Sequence, residues 1–97
     1  MIHHILLYKF KSGVDRIDEH LDVISQFRNT TEGLIKLNYG KNIEENFSDN
    51  FTHGFIMSFT DREALNKYNN SKSHNHLVNM FKDDIEAKNV IDLEDQQ

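Results

Sequence analysis

The order of apolar and polar residues predicts strands and helices that alternate along the chain. Residues 2–10 have a two-residue period, as a strand does, and one row of this strand holds Ile2, His4, Leu6, Tyr8 and Phe10. From Val14 to Phe27, apolar residues recur at steps of three and four, which predicts an amphipathic helix of about four turns. Gly33 closes the turn that follows, and a second strand is expected over about 34–43.

The middle of the chain predicts a hairpin. The polar segment 44–50 suits a loop between two antiparallel strands, and the second of these strands runs from about Phe51 to Phe59. One row of that strand holds His53, Phe55, Met57 and Phe59. Thr60 and Glu63 then have the spacing of a capping box, in which each side chain satisfies a backbone donor at the start of a helix.

A helix in two pieces and a last strand complete the expected elements. The buried side of the first piece is formed by Ala64, Leu65 and Tyr68. Ser73 is the expected N-cap of the second piece. The apolar stripe of this second piece consists of His74, Leu77, Val78, Phe81 and Ile85. The last strand is expected over 90–94.

This order of elements is typical of a ferredoxin-like α+β fold, in which helices cover one face of an antiparallel sheet, and we expect a single domain over residues 1–97. The first strand also carries Ile5 and Leu7 on the face that the helices do not cover. An antiparallel sheet normally presents a polar second face to water. We therefore expect a second copy of the chain to cover this face, in a two-fold homodimer whose sheets meet.

Composition narrows the classes of function. Lys and Arg number 11 against 16 Asp and Glu, a net charge of −5 that argues against nucleic acid as a partner. The absence of Cys excludes disulfides, thiolate metal sites and thiol nucleophiles. The sequence has neither a signal-peptide pattern nor the roughly 20 apolar residues of a membrane span. We expect a cytoplasmic protein without a membrane partner.

Six histidines and no proline distinguish this composition. Four residues that can exchange protons or bind a ligand fall in rows that should face the space between sheet and helices: His4, His53, Tyr68 and His74. Each could be a hydrogen-bonded core residue. Burying several imidazoles, however, costs on the order of 1–3 kcal/mol for each one left unpaired. The cluster fits better with a pocket in which His74 and Tyr68 exchange protons with a small molecule.

The remaining histidines give less support to a metal site. Adjacent strand residues face opposite ways, so His3 and His4 cannot share a pocket. We expect His3 and His20 to be peripheral, His76 to be solvated, and no carboxylate in the inner rows. The sequence contains no phosphate-binding loop, no His-Glu-x-x-His and no Gly-x-Ser-x-Gly. We therefore expect neither a metal nor a cofactor.

Six segments of the chain, in order, resemble the stress-responsive dimeric α/β-barrel (Dabb) family, which includes plant polyketide cyclases of the olivetolic acid cyclase type. Together they span nearly the whole chain. They are residues 2–11, Tyr39-Gly40-Lys41-Asn42, Phe51-Thr52-His53, residues 59–65, Tyr68 followed by His74, and residues 90–94. The resemblance implies a ferredoxin-like domain that pairs into a homodimeric barrel.

The resemblance also implies an activity and its residues. By similarity to the cyclases, His74 would abstract a proton to create a carbon nucleophile and Tyr68 would stabilise the oxyanion, without a cofactor. His4 and His53 would support them. The implied substrate is a carbonyl-bearing hydrophobic small molecule, turned over by an aldol cyclase or lyase reaction.

One motif departs from the family pattern. The usual His-Pro-x-His run reads Ser71-Lys72-Ser73-His74 here, so the helix junction lacks the constraint of proline. Two alternatives to the enzyme remain open. One is a non-catalytic dimeric stress-response or ligand-binding protein. The other is a haem- or quinone-handling monooxygenase of the same barrel fold.

Overall fold

Four strands and three helices make up the part of the chain that the computed structural model describes, residues 1–44 and 51–96. Their order is β1 (Ile2–Phe10), α1 (Ile17–Thr30), β2 (Leu34–Lys41), β3 (His53–Phe59), α2 (Arg62–Asn69), α3 (Lys72–Phe81) and β4 (Ile85–Glu94). The strands form one sheet in the order β2-β3-β1-β4, and each pair of neighbours is antiparallel. The predicted ferredoxin-like fold is confirmed. The expected hairpin loop at 44–50 lies outside the described residues except for Glu44.

The core lies between the sheet and the helices, and the two-residue period of the central strands builds it. All four members of the predicted β3 row are buried, and on β1 the predicted row is buried except for the partly buried Leu6. The side chains that are fully buried and largest are Tyr8, Phe59, Phe81, Ile24 and Met57. Both sheet rows therefore face the helices, as their sequence pattern indicates.

Gly33 fixes the approach of α2 to the sheet. Its φ of +80° is in the left-handed region, and a Cβ at this position would lie 2.5 Å from the Cβ of Ala64. The backbone carbonyl of Gly33 also accepts a hydrogen bond of 2.9 Å from the amide of Thr60. Only glycine suits this contact, which sets the start of the helix that carries Tyr68.

Both predicted helix caps are wrong. Helix α2 is capped by Asp61, whose carboxylate accepts a 2.9 Å hydrogen bond from the amide of Ala64. Thr60 follows β3 directly, and its amide donates a hydrogen bond to the carbonyl of Gly33. Helix α3 is capped by Ser71, since the helix starts directly after α2 and Ser73 is already inside its first turn.

The last strand is longer than its sequence predicts. We expected Ile85 on α3 and a strand over 90–94, but α3 ends at Phe81 and β4 begins at Ile85, opposite Phe10. The pairing with β1, rather than an alternating pattern of its own, sets this strand, and all its residues after Ile85 are exposed. Val78, expected in the apolar stripe, is 37% exposed.

The other face of the sheet is apolar and uncovered by helices. This open sheet face consists of His3, Ile5, Leu7, Ile56, Ile91 and Leu93, which the strand registers place side by side. Leu7, Ile56, Ile91 and Leu93 are between 41% and 51% exposed. A shallow groove of about 640 Å³ lies along β1, β2 and β3, and Ile5, Leu7 and Ile56 of this face line it.

Candidate functional site

His4 forms a hydrogen-bonded pair with Asp92 on the inner face of the sheet. The two residues are directly opposite in the β1–β4 register, and His4 Nδ1 lies 2.6 Å from Asp92 Oδ1. A carboxylate accepts, so Nδ1 carries the proton in this contact. The expectation that no carboxylate occupies the inner rows is wrong, because the register of β4 places Asp92 there.

Tyr68 lies between the helices and the sheet, next to His4 and His74. Its ring centroid is 5.9 Å from that of His4 and 4.9 Å from that of His74. The side chain is buried among aromatic neighbours, and this burial raises the pKa of Tyr68 well above its usual value of 10. The phenol therefore keeps its proton at neutral pH and can donate a hydrogen bond.

His74 lies in the first turn of α3 and is half-buried. Its Nδ1 atom is buried and has no hydrogen-bond partner among residues 1–44 and 51–96. Burial lowers the pKa of His74 below 6.5, and the neighbouring His4 lowers it further. Contacts of the ring with the Asn75 side chain and the Asn69 backbone raise the pKa by less. The imidazole is therefore neutral at pH 7, and its buried Nδ1 can bind a ligand or take a proton.

Ser71 holds the backbone of Tyr68 and His74 together. Its hydroxyl donates a 2.8 Å hydrogen bond to the carbonyl of Tyr68 and accepts one of 3.1 Å from the amide of His74. Sequence reasoning had noted this position only as a departure from a motif. The serine constrains the α2–α3 junction, although the junction has no proline.

These residues form one group, the acid–base cluster of His4, Tyr68, His74 and Asp92. Of the four candidates from the sequence, the structure brings together three. His53 lies on the same inner face but opposite Tyr8, whereas His4 lies opposite Met57. Four residues of strand separate these positions, which is about 13 Å.

His53 belongs to a second aromatic group. Its ring stacks on Tyr8 with centroids 5.8 Å apart, and its Nδ1 lies 2.9 Å from the hydroxyl of Thr52. Burial lowers the pKa of His53, and Lys41 lowers it further. The side chain is neutral at pH 7 and already has one protein partner.

His20 was expected to be peripheral, and the structure corrects this: only 5% of it is exposed. Its ring packs against Phe81 at 4.6 Å and Tyr8 at 5.0 Å, and its Nδ1 lies 3.4 Å from the Tyr8 hydroxyl. Burial lowers the pKa of His20 to about 4. Its position three residues after Ile17 and four before Ile24 is a sequence signal that it shares their buried side.

A cavity of about 330 Å³ runs between β1, β4 and α3. Leu6 lines it between His4 and Tyr8 on the β1 row, and Leu77 lines it one turn after His74 on α3. Tyr8 and His20 are also part of its wall. None of the four side chains of the acid–base cluster lines the cavity. Phe55 does, and its ring centroid is 6.1 Å from that of His4, so the cavity begins one side chain away from the cluster and extends to Tyr8 and His20.

The described part of the chain contains neither a cluster suited to a metal ion nor a helix suited to a membrane. No group of three or more His, Asp or Glu side chains in it could hold a metal ion. None of its helices combines the length and apolar character needed to cross a bilayer.

The family follows from comparison with known proteins. The model of the stress-responsive A/B barrel domain (Dabb) matches residues 2–95. This chain belongs to the Dabb family. A relative of the Dabb protein, the stress-response A/B barrel domain-containing protein HS1 of Arabidopsis thaliana, is 29% identical over 94 residues, which are 94% of this chain and 86% of the relative.

Solved structures agree with this assignment. A dimeric ferredoxin-like protein of unknown function from Jannaschia sp. CCS1 superposes with a TM-score of 0.83 at 25% identity, covering 96% of the Dabb chain and 97% of its own. A hydroxynitrile lyase from Passiflora edulis gives a TM-score of 0.85 at 18% identity, covering 95% and 90%. The lyase shares the fold, and the family assignment rests on the domain match.

Proposed function

We propose that this Dabb protein is a cofactor-independent acid–base enzyme that acts on a carbonyl-bearing hydrophobic small molecule, by an aldol cyclase or lyase reaction. One observation carries the proposal: the buried and unpartnered Nδ1 of His74, on a ring whose centroid is 4.9 Å from that of Tyr68. A buried nitrogen without a partner lowers stability by about 1–3 kcal/mol, so a ligand or a proton is its natural partner.

The proposed reaction uses the two residues in different roles. His74 is neutral at pH 7 and takes a proton from the carbon next to the substrate carbonyl. Tyr68 keeps its proton and donates a hydrogen bond to the carbonyl oxygen as negative charge develops there. The resulting carbanion attacks a second carbonyl, and the His74 imidazolium returns the proton to the new alkoxide. The reverse sequence cleaves a carbon–carbon bond.

The two remaining histidines have supporting roles in this proposal. His4 packs against Tyr68, and Asp92 fixes the orientation of its ring. His53 acts on the ligand only through Tyr8, on which it stacks at the far end of the inner face. The cavity of about 330 Å³ beside the cluster has the size of a site for a small ligand.

We also propose that the protein is a cytoplasmic homodimer. The open sheet face presents apolar side chains that need a cover, and the Jannaschia relative with the same fold is described as dimeric. The net charge of −5 supports neither a nucleic-acid nor a membrane partner.

The alternative is a dimeric ligand-binding protein without turnover. Ser71 and Lys72 occupy the positions of His and Pro in the family motif. This departure lies at the α2–α3 junction, next to the proposed base His74, and it favours the alternative.

Deuterium exchange tests the enzyme without knowledge of its natural substrate. We expect the wild-type protein to accelerate exchange at the carbons next to the carbonyl of 2-nonanone in D₂O, measured by ¹H NMR. His74→Ala is expected to lose about 10²–10⁴-fold of this rate and Tyr68→Phe about 10²-fold. His76→Ala, at an exposed position on the same helix, is the matched control and should exchange at the wild-type rate. Equal rates in His74→Ala and wild type would refute the enzyme and leave the ligand-binding alternative.

A further inference from the structure

Tyr8 and His20 form a buried polar pair for which the acid–base reaction has no use. Only 1% of Tyr8 and 5% of His20 is exposed, and both line the cavity at the end remote from His74. The buried and partly buried side chains that line the cavity with them include Leu6, Phe55, Leu77 and Phe81, whereas the charged lining residues Lys82, Glu86 and Lys88 are exposed. A buried polar pair among these apolar side chains needs an explanation.

A count of donor hydrogens shows that the pair is incomplete. Burial raises the pKa of Tyr8 and lowers that of His20, so both groups are neutral at pH 7. A neutral phenol and a neutral imidazole carry one donor hydrogen each. The contact of 3.4 Å between Tyr8 Oη and His20 Nδ1 uses one of these hydrogens, whichever tautomer is present.

The second donor hydrogen has no acceptor among residues 1–44 and 51–96, because neither ring makes another hydrogen bond there. If Tyr8 donates to His20 Nδ1, the free donor is His20 Nε2. If His20 Nδ1 donates, the free donor is the Tyr8 hydroxyl. In either case the free donor belongs to a side chain that lines the cavity, where a ligand can supply the acceptor.

We infer that the ligand of this cavity carries a second oxygen acceptor, which binds Tyr8 and His20 at the end opposite the reacting carbonyl. The inference deepens the proposed function, on which it rests for the position of the reacting end. It makes Tyr8 and His20 specificity-determining residues for a class of ligand, an apolar molecule with an oxygen function at each end.

The second acceptor is a neutral oxygen, such as a ketone, ester or ether. Arg16, which lies over the ring of Phe81 at 5.0 Å, is already paired with Asp84 at 2.7 Å. Lys82 and Lys88 line the cavity but are exposed. One donor hydrogen does not offset the desolvation of a buried carboxylate, so an ionised end group is disfavoured.

The sheet also sets the length of the ligand. His4 and Tyr8 lie four residues apart on β1, which is about 13 Å. His4 packs against Tyr68, so we take this separation as the spacing between the donors of Tyr68 and Tyr8. A hydrogen bond of about 3 Å at each end then leaves about 7 Å between the two oxygen atoms of the ligand. Nonane-2,8-dione has this separation when extended, and 2-nonanone is the same chain with one carbonyl removed.

Calorimetric titration of these two ketones tests the inference. The measured quantity is the affinity ratio of dione to monoketone, compared between variants so that the different hydrophobicity of the two probes cancels. We expect the double variant Tyr8→Phe/His20→Phe to lower this ratio about fivefold. The single variants Tyr8→Phe and His20→Phe each retain one donor hydrogen without an acceptor in the protein, so each should keep the preference for the dione. An unchanged ratio in the double variant, or no binding of either ketone to the wild type, would overturn the inference.

A measurement on the wild-type protein keeps the test valid even if the double variant does not fold. We expect the dione to shift the ¹⁵N resonances of the His20 ring and the monoketone to leave them nearly unchanged, with the exposed His76 ring as an internal control. Equal responses to both ketones would contradict a second acceptor.

The variant His74→Ala separates this inference from the proposed function. It leaves Tyr8 and His20 intact, so the preference for the dione should persist while deuterium exchange is lost. Exchange that survives in His74→Ala refutes the enzyme alone. If the wild-type protein catalyses exchange of 2-nonanone but its dione-to-monoketone affinity ratio equals that of the double variant, the second acceptor alone is refuted.

Discussion

Two histidines of β1 each form a hydrogen-bonded pair with an aspartate. His4 bonds to Asp92 and His3 bonds to Asp95, each with a nitrogen–oxygen distance of 2.6 Å. His4 and His3 lie on opposite faces of β1, and their partners are Asp92 on β4 and Asp95, which directly follows β4. The first pair adjoins Tyr68 and the second lies on the open sheet face, so the two carboxylates provide a matched comparison.

Asp92→Asn is expected to slow deuterium exchange of 2-nonanone about tenfold, because an amide does not hold the His4 tautomer as a carboxylate does. Its free energy of unfolding should change by less than about 0.5 kcal/mol, since the Asp92 side chain is 42% exposed. Asp95→Asn is the control and should exchange at the wild-type rate. Equal effects of the two substitutions would show that Asp92 has no specific role.

Buried histidines also make stability depend on pH. The pKa of His20 falls from 6.5 to about 4 on folding because burial disfavours the charged ring. Between these values the unfolded chain binds a proton that the folded chain does not, so the free energy of unfolding decreases as pH falls from 6.5 toward 4. His53 and His74 shift in the same direction.

Urea denaturation at pH 7.5 and pH 4.5 measures this effect. From pH 7.5 to pH 4.5, the free energy of unfolding of His20→Phe should fall by about 2 kcal/mol less than that of the wild type. His76→Phe, at an exposed site, is the control, and its free energy of unfolding should fall between the two pH values by as much as that of the wild type. A wild-type protein whose stability is the same at both pH values would contradict a buried neutral His20.

The periodic apolar rows of the sequence located three members of the acid–base cluster but not Asp92. His4, Tyr68 and His74 lie in rows with apolar neighbours, which show the buried side. Asp92 lies on a strand whose inner positions include Lys88 and Glu94, so no apolar row marks it. Its place is set by pairing with β1, which is a long-range contact that a local pattern does not contain.

At the scale of the element, the junction of α2 and α3 decides how acid and base are held. The local pattern predicts Ser73 as the cap of α3, but the cap in the structure is Ser71. The structure selects Ser71 because α2 ends at Asn69 and leaves room for only a short turn. The cap that results also bonds to the carbonyl of Tyr68.

Ser71→Ala is expected to lower the free energy of unfolding by about 1 kcal/mol, the usual effect of losing an N-cap. It should also slow exchange, because Tyr68 and His74 lose their shared hydrogen-bond partner. Ser73→Ala, inside the first turn and exposed, is the control and should leave both quantities unchanged within about 0.5 kcal/mol. Thermal denaturation and the exchange assay give the two measurements.

At the scale of the whole molecule, the order of the elements was sufficient to predict the fold. Alternation on β1 and β3 showed which side chains face the helices, and apolar residues on the second face of β1 indicated a further partner. Distance along the sheet could not be predicted in this way. Membership of a row tells which face a residue occupies, and for this reason His53 was grouped with His4 although about 13 Å of strand separates them.

The open sheet face predicts the state of association. Light scattering at micromolar concentration should report about twice the 11.4 kDa of one chain. Ile56→Glu, at the centre of the face and 42% exposed, should shift the protein to monomers. Val78→Glu adds the same charge on the helical side and should remain dimeric. A wild-type protein with the mass of one chain would contradict the homodimer.

The two ends of the cavity are encoded by separate parts of the chain. The acid and base lie next to the cavity on the short stretch from Tyr68 to His74, whereas the wall at the other end depends on β1 and α1 through Tyr8 and His20. Substitutions at positions 8 and 20 can therefore change which molecules are accepted while the reaction itself stays the same. A domain built in this way can acquire new substrates in small steps, each of which leaves a working acid–base pair behind.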